Sequence, residues 1–376
     1  MEIPTAETSG EISLYFHIPF CSRKCPYCHF FVLPNREDLK EKLKAGIQLE
    51  LQRVLPLLKG KKLISIYFGG GTSSLFPEGI KKILQEISPS TEVEITLEAN
   101  PEDLTLDLLS YYRDIGINRL SIGVQSLYNP SLKTIGRTHS AEKAIRAITD
   151  ARKAKFENIS IDLMYDLPNQ DLKSWEYTLD AIKELPITHL SLYNLTLDPP
   201  SLYYKERERI QKEQPTGEVS FKMLRAAVIA LEELGLHRYE ISAFAKPGYY
   251  SRHNTGYWLG RPFFGLGPSA FSYIDKKRYR NIPHLNKYLT ALEEDRAPVD
   301  FEEKLECEAA TNEHLCIQLR LIQGVDLNTF EKKWGPISKK PIQALIEQGL
   351  LEQNGTRLRL SEKGLYFYDS VAVELI

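Results

Sequence analysis

Six times between residues 12 and 195 a short apolar run begins a new strand-like segment, and a stretch of helical periodicity separates each from the next. That alternation leaves few architectures open. Runs at 12–16, 63–68, 93–98, 119–125, 158–165 and 189–195 read as strands, and the segments 37–58, 78–87, 106–115, 141–154 and 172–185 read as helices. In the first of these helices Leu39, Leu43, Ile47, Leu51, Val54 and Leu58 recur every three to four positions, which places them on one buried face. Strands and helices in strict succession with short connections build a parallel sheet covered by helices. No stretch made of strands alone is expected, so an α/β chain forming a (β/α) barrel, complete or partial, is the first expectation. A flat doubly wound sheet is the second.

The chain has 376 residues, room for a barrel of about 250 residues and a smaller unit. From about residue 300 the pattern changes to helices at 307–321, 327–334 and 341–348, followed by short apolar stretches at 350–352 and 357–360 around Asn354-Gly355. Helices closed by an Asn-Gly hairpin look winged-helix-like, which divides the chain into a barrel at 1–295 and a small C-terminal unit at 296–376. The charge run at 206–214 reads as a solvated helix face. Lys and Arg total 48 against 50 Asp and Glu, so the formal charge of −2 supplies no overall field for nucleic acid or an anionic bilayer. No nucleic-acid partner is expected. No apolar run approaches the ~18 residues of a membrane span, and the acidic start MEIPTAETSGE lacks the pattern of a secretory signal. A cytoplasmic location is expected.

Of five cysteines, Cys21, Cys25 and Cys28 fall within eight residues, directly after the first strand. Cys307 and Cys316 are expected to be buried, ordinary thiols. The C-x3-C-x2-C spacing argues for metal ligation. A structural zinc with His29 as fourth ligand is one reading, but adjacent Cys28 and His29 would have to turn to the same ion. Three thiolates suit a [4Fe-4S] cluster whose fourth iron is open to a small chelating molecule. The second strand ends in Gly69-Gly70-Gly71-Thr72, where missing side chains let backbone groups approach a ligand closely.

Cysteine loop and glycine-rich strand end together resemble the radical S-adenosylmethionine superfamily. Further segments narrow the resemblance: Tyr15 in Y-F-H-I-P-F-C, Glu98 in L-E-A-N-P, Gln125 in S-I-G-V-Q-S, Arg137 in I-G-R-T-H and Asp162 in I-D-L-M-Y-D-L-P are similar to the oxygen-independent coproporphyrinogen III oxidase group. The resemblance implies a cluster on Cys21, Cys25 and Cys28, and S-adenosylmethionine contacts from Tyr15, Tyr27, Gly70, Gly71, Thr72, Glu98, Gln125, Arg137 and Asp162. In isolation, Glu98 and Asp162 would read as helix caps and Arg137 as a surface residue. Their recurrence at successive strand ends beside the cysteine loop favours one shared mouth.

Two features depart from the decarboxylating members. They carry a further cysteine two residues after the third, where this chain has Phe30, and a longer segment ahead of the first strand. Both departures, and the run His253-Asn254-x-x-Tyr257-Trp258, resemble the HemW-type haem chaperones. That resemblance implies His253 and Tyr257 at haem and a function of passing haem to membrane or respiratory proteins. It also implies a peripheral place at the membrane during transfer, with a homodimer left open. The alternative is the coproporphyrinogen III oxidase itself. A radical enzyme with an unrelated substrate and a zinc-stabilised DNA-binding regulator are more distant readings.

Overall fold

The computed structural model describes residues 10–376, so the first nine residues of the acidic N-terminus lie outside the described residues. Twelve strands form one sheet: β1 Glu11–Ile18, β2 Lys62–Gly70, β3 Glu94–Ala99, β4 Arg119–Gln125, β5 Asn158–Tyr165, β6 His189–Asn194, β7 His237–Glu240, β8 Ala243–Ala245, β9 Phe263–Leu266, β10 Phe271–Ile274, β11 Lys277–Asn281 and β12 Val299–Lys304. Their spatial order is β12-β11-β10-β9-β1-β2-β3-β4-β5-β6-β8-β7. Strands β1 to β6 pair in parallel in chain order, and β9 joins parallel to the outer side of β1. This is the partial (β/α) barrel, open and completed by antiparallel strands at both edges.

Alternation along the parallel strands explains how they serve two environments, because successive side chains point to opposite faces. Leu14, Phe16, Ile66, Phe68, Leu97, Leu120, Ile122, Ile161 and Leu190 point outward into the main apolar core under the helices. The intervening Ser13, Ser65, Thr96, Arg119, Ser160 and His189 point inward and are almost fully buried. The barrel interior is therefore polar from its floor upward. Helix starts are fixed locally: Thr105 accepts from Leu108 N–H, Ser140 accepts from Lys143 N–H, and Asp171 closes a capping box with Ser174.

Three expectations change. The strands β9 to β11 follow one another directly, an antiparallel meander that β12 extends after the helix Leu285–Glu293 and that the βα reading did not anticipate. The first helix ends at Val54 and continues as a tighter turn, Leu55–Leu58, because Pro56 has no N–H to give an α-helical bond. Cys307 is exposed rather than buried, since it opens the helix Cys307–Gln318 on the solvent side, whereas Cys316 is buried.

The C-terminal segment has its own apolar cluster, centred on Leu315, Leu319, Phe330, Leu345 and Leu358. Leu351–Asn354 and Arg357–Leu360 form the hairpin around Asn354-Gly355, with Leu351 opposite Leu360. Val325–Asp326 adds a third strand. This segment is tied to the barrel by Arg320, whose guanidinium lies 4.3 Å from the Trp258 ring centroid, and by a 2.8 Å hydrogen bond between Tyr273 Oη and His314 Nε2. Among the described residues no helix is long and apolar enough to cross a membrane.

Candidate functional site

A cavity of about 510 Å³ opens at the C-terminal ends of the parallel strands, in the size range of small-molecule sites. Its walls bring together Cys21, Cys25, Cys28 and Tyr27 from the loop after β1, Gly70, Gly71 and Thr72 from the end of β2, and Glu98, Gln125, Arg137 and Asp162 from further along the chain. Twelve of the fourteen residues singled out from the sequence must be placed here or just beneath it. Eleven line the cavity itself, and Tyr15 lies one layer below, its hydroxyl 3.0 Å from His17 Nδ1 and its ring 6.2 Å from that of Tyr67.

The cysteine loop leaves β1 through Phe20–Cys21, which pairs with Leu33–Pro34 and so closes the loop at its base. All three thiols are free and partly exposed. Cys21 Sγ lies 3.6 Å from Thr72 Oγ1, and Arg137 Nη1 lies 3.6 Å from Cys25 Sγ. Burial pushes the Cys21 thiol up to about 11, despite the Thr72 hydrogen bond that works against it. Metal binding there must therefore displace protons. Among the described residues no three His, Cys, Asp or Glu side chains close on one point as a single tetrahedral ion requires. His29 instead turns to Asp198, at 3.8 Å, and to the Phe30 ring. The donor set is three soft sulfurs facing one cavity, which fits an iron–sulfur cluster with an open position.

The glycine end of β2 is shaped by close approach. Gly70 has φ 113°, and a Cβ there would sit 2.5 Å from the buried His17 ring. A Cβ on Gly71 would lie 2.6 Å from the Phe20 carbonyl oxygen. Backbone bonds from Gly71 N to Ile18 O and from Thr72 N to Phe20 O lock this turn against the cysteine loop. Glu98 accepts from Tyr67 Oη at 2.7 Å and from Gly70 N at 3.1 Å. Burial raises its carboxyl to about 7, with the Asp162 charge adding to the rise. Asp162 is raised to about 6, again mainly by burial. Gln125 stands at φ 66°, a conformation costing about 1–3 kcal/mol for a residue with a side chain, where the β4–β5 register shifts.

Arg137 is held by Asn100 Oδ1 at 2.7 Å and by Gly123 O at 2.9 Å, while its Nε has no partner. Asn100 also donates to Thr72 Oγ1 at 2.7 Å, so it joins the glycine turn to the arginine. Glu102 bonds His139 Nδ1 at 3.1 Å and lies 3.6 Å from Arg137. Burial alone would raise Glu102, but His139 and Arg137 carry it down to about 2. Asn100 and Glu102 were missed in the sequence, although both fall in the L-E-A-N-P-E run that supplied Glu98. Arg119 was missed too. It is buried on the barrel floor with an unpartnered Nε, and the polar alternation in R-L-S-I-G is the signal that finds it.

His253 and Tyr257 are brought together, but away from this cavity. They stand on the helix Arg252–Trp258 under the barrel floor. His253 is 1% exposed, with Nδ1 2.9 Å from Ser65 Oγ and Nε2 2.7 Å from Tyr257 Oη. Burial, with Arg261 and Arg119 nearby, takes its imidazole down to about 3, so the ring is neutral.

Residues 15–182 match the Radical SAM superfamily and residues 305–367 match the HemN C-terminal domain. The fold is similar to coproporphyrinogen III oxidase (HemN) from Escherichia coli, with a TM-score of 0.85 at 23% identity, over 99% of this chain and 91% of that one. Similar curated proteins include the heme chaperone HemW of Lactococcus lactis, 33% identical over 96% of both chains. Another is the heme chaperone HemW of Bacillus subtilis, 33% identical over 94% of this chain and 96% of its own. A radical SAM mouth carrying three cysteines, on a chain related end to end to these proteins at one residue in three, belongs to the HemW family of the radical SAM superfamily.

Proposed function

We propose that the protein is a haem chaperone that binds haem, a [4Fe-4S] cluster and S-adenosylmethionine, and delivers haem to membrane or respiratory haem proteins. The observation that carries this reading is the end-to-end similarity to heme chaperones HemW. Phe30 supports it as well: its exposed ring, not a thiol, stands at the rim of the cavity. On this reading the chain lacks coproporphyrinogen dehydrogenase activity and works from the cytoplasm, meeting the membrane only when haem is passed on. We take the chain as a barrel unit and a C-terminal unit, with the boundary expected at 295/296 moved past Lys304, because β12 pairs with β11 in the barrel sheet.

Cys21, Cys25 and Cys28 would hold the cluster. Gly70, Gly71 and Thr72 offer backbone groups to the methionine part of S-adenosylmethionine, with Tyr15 bracing the turn through His17. Glu98 and Asp162 accept from amine or hydroxyl groups, Gln125 bridges polar groups, and Arg137 together with Tyr27 faces the carboxylate. A reduced cluster held by these three thiolates would supply one electron to a sulfonium bound beside it. The protein's own part is to orient that ligand and to hold water away from it.

His253 and Tyr257 are the haem ligands that the motif implies. For either to reach iron, the bonds to Ser65 and between the two side chains must be exchanged for the metal. A specific observation favours a second role for His253, because its ring joins the helix Arg252–Trp258 to β2 across the barrel floor.

The test is anaerobic incubation of the reconstituted protein with coproporphyrinogen III plus S-adenosylmethionine, and separately with haem. A stable haem spectrum without decarboxylated porphyrin is expected. Formation of protoporphyrinogen IX would overturn the reading in favour of the oxidase.

A further inference from the structure

A second cavity, of about 540 Å³, lies under the barrel at the N-terminal ends of the strands, on the face opposite the cysteine mouth. Its walls are the turn Leu55–Leu58, the start of β2, the end of the helix Pro77–Ile87 with Pro89, and Arg252. Leu55, Leu58, Leu63, Ile87 and Pro89 supply a half-buried apolar lining. Around it stand Lys59, Lys61, Lys62 and Arg252, against the single carboxylate of Glu92. Among the described residues none of the three lysines is within ion-pair distance of an acid. Arg252 is fixed by its Nη1 bond to Glu92 O and its backbone bond to Glu94.

Four cations around an apolar hollow recognise a ligand with a broad apolar body and more than one carboxylate. We infer that this pocket seats haem, the macrocycle against the apolar lining and the propionates against Lys59, Lys61, Lys62 and Arg252. The inference rests on the chaperone reading and locates its cargo. It concerns seating and not axial ligation, although Arg252 is the residue directly before His253. Its consequence is a division of the molecule. Haem lies on the floor side of the barrel and S-adenosylmethionine at the opposite mouth, so cargo and radical chemistry are kept apart by the polar barrel interior.

The experiment uses the full reconstituted chain and measures haem affinity from the Soret band at moderate salt. It compares wild type with the triple variant Lys59→Gln, Lys61→Gln, Lys62→Gln, and compares haem with its dimethyl ester, in which both propionates are neutral. Exposed charge pairs weaken binding by about two- to fivefold each when lost, so the triple variant should bind haem about tenfold more weakly. Esterification should weaken wild type similarly and the variant, which keeps only Arg252 of the four cations, by a clearly smaller factor. A variant that binds haem as tightly as wild type overturns the pocket assignment while leaving the chaperone reading standing. Equal losses on esterification in both proteins also overturn it. Wild-type protein that binds no haem removes the chaperone reading itself, and the seat with it.

Discussion

Glu50 offers a perturbation whose size follows from the structure. Its carboxylate is buried on the first helix and accepts from Gly267 N at 2.8 Å, Asn281 Nδ2 at 2.7 Å and Tyr288 Oη at 2.6 Å. It thereby fixes the loop after β9, which packs so tightly on the end of β1 that a Cβ on Gly267 would lie 2.7 Å from the His17 carbonyl oxygen. The cysteine loop begins just beyond. Burial raises the Glu50 carboxyl to about 7 from an ordinary 4.5, and the three hydrogen bonds only partly oppose that rise. A folded-state value above the unfolded one means that this group's contribution to stability is fully present below pH 4.5 and is lost as pH rises through 7. At 1.36 kcal/mol per pH unit, moving from pH 5 to pH 8 removes roughly 2–3 kcal/mol through Glu50 alone. For a chain of this length, with an unfolding entropy of about 2.1 cal/mol/K per residue, that is a fall of about 3 °C in Tm. Glu98 and Asp162 titrate in the same window, so the wild-type slope is not enough. The discriminating quantity is the difference from Glu50→Gln, which cannot ionise and keeps one acceptor oxygen. Scanning calorimetry at pH 5 and pH 8 should show wild type losing about 3 °C more than the variant. Equal losses would refute the reasoning, since they would mean that Glu50 is ionised and fully compensated at both pH values.

S-adenosylmethionine affinity should rise with pH through 6 to 7, because Glu98 and Asp162 accept hydrogen bonds best when ionised and both are raised into that range. Equilibrium dialysis should show at least about tenfold tighter binding at pH 8 than at pH 5.5, and a flat profile would contradict the placement of these two groups at the ligand. Gly71→Val should leave far-ultraviolet circular dichroism unchanged but separate the glycine turn from Phe20, lowering S-adenosylmethionine affinity by about tenfold or more. Unchanged affinity would show that the turn tolerates a side chain. His253→Ala should lower Tm by about 1–4 °C in haem-free protein, because the loss of a partner by Ser65 and Tyr257 costs about 1–3 kcal/mol. No change would remove its role in the barrel floor.

The parallel strands were legible in the sequence because apolar runs and helix periods are local signals. The β4 and β5 bounds agree to the residue with the sequence reading, since Arg119 and Asn158 mark where the alternation begins. The antiparallel meander from β9 to β12 was not legible. Its strands are short, β11 is almost wholly Lys, Arg and Tyr, β12 carries three acidic residues, and their pairing depends on partners that the sequence does not announce. The candidate mouth was legible through recurrence, as Glu98 and Gln125 stand at or next to the end of a strand, whereas Asp162 sits within β5, three residues before its end, and still faces the cavity. Asn100 escaped because its work is to join Thr72 and Arg137, a contact between segments 28 and 37 residues away. The burial of His253 also escaped. A histidine in a polar, aromatic segment reads as available, whereas the ring is engaged at both nitrogens by β2 and its own helix.

Transfer of haem tests the central claim most directly. The haem-loaded, cluster-containing protein is mixed with membranes bearing a haem-depleted respiratory oxidase, and difference spectra follow haem into the acceptor. The account predicts saturable transfer, faster than the spontaneous loss of haem from the protein to a soluble apo-globin. Haem reaching the oxidase only at that spontaneous rate would contradict it.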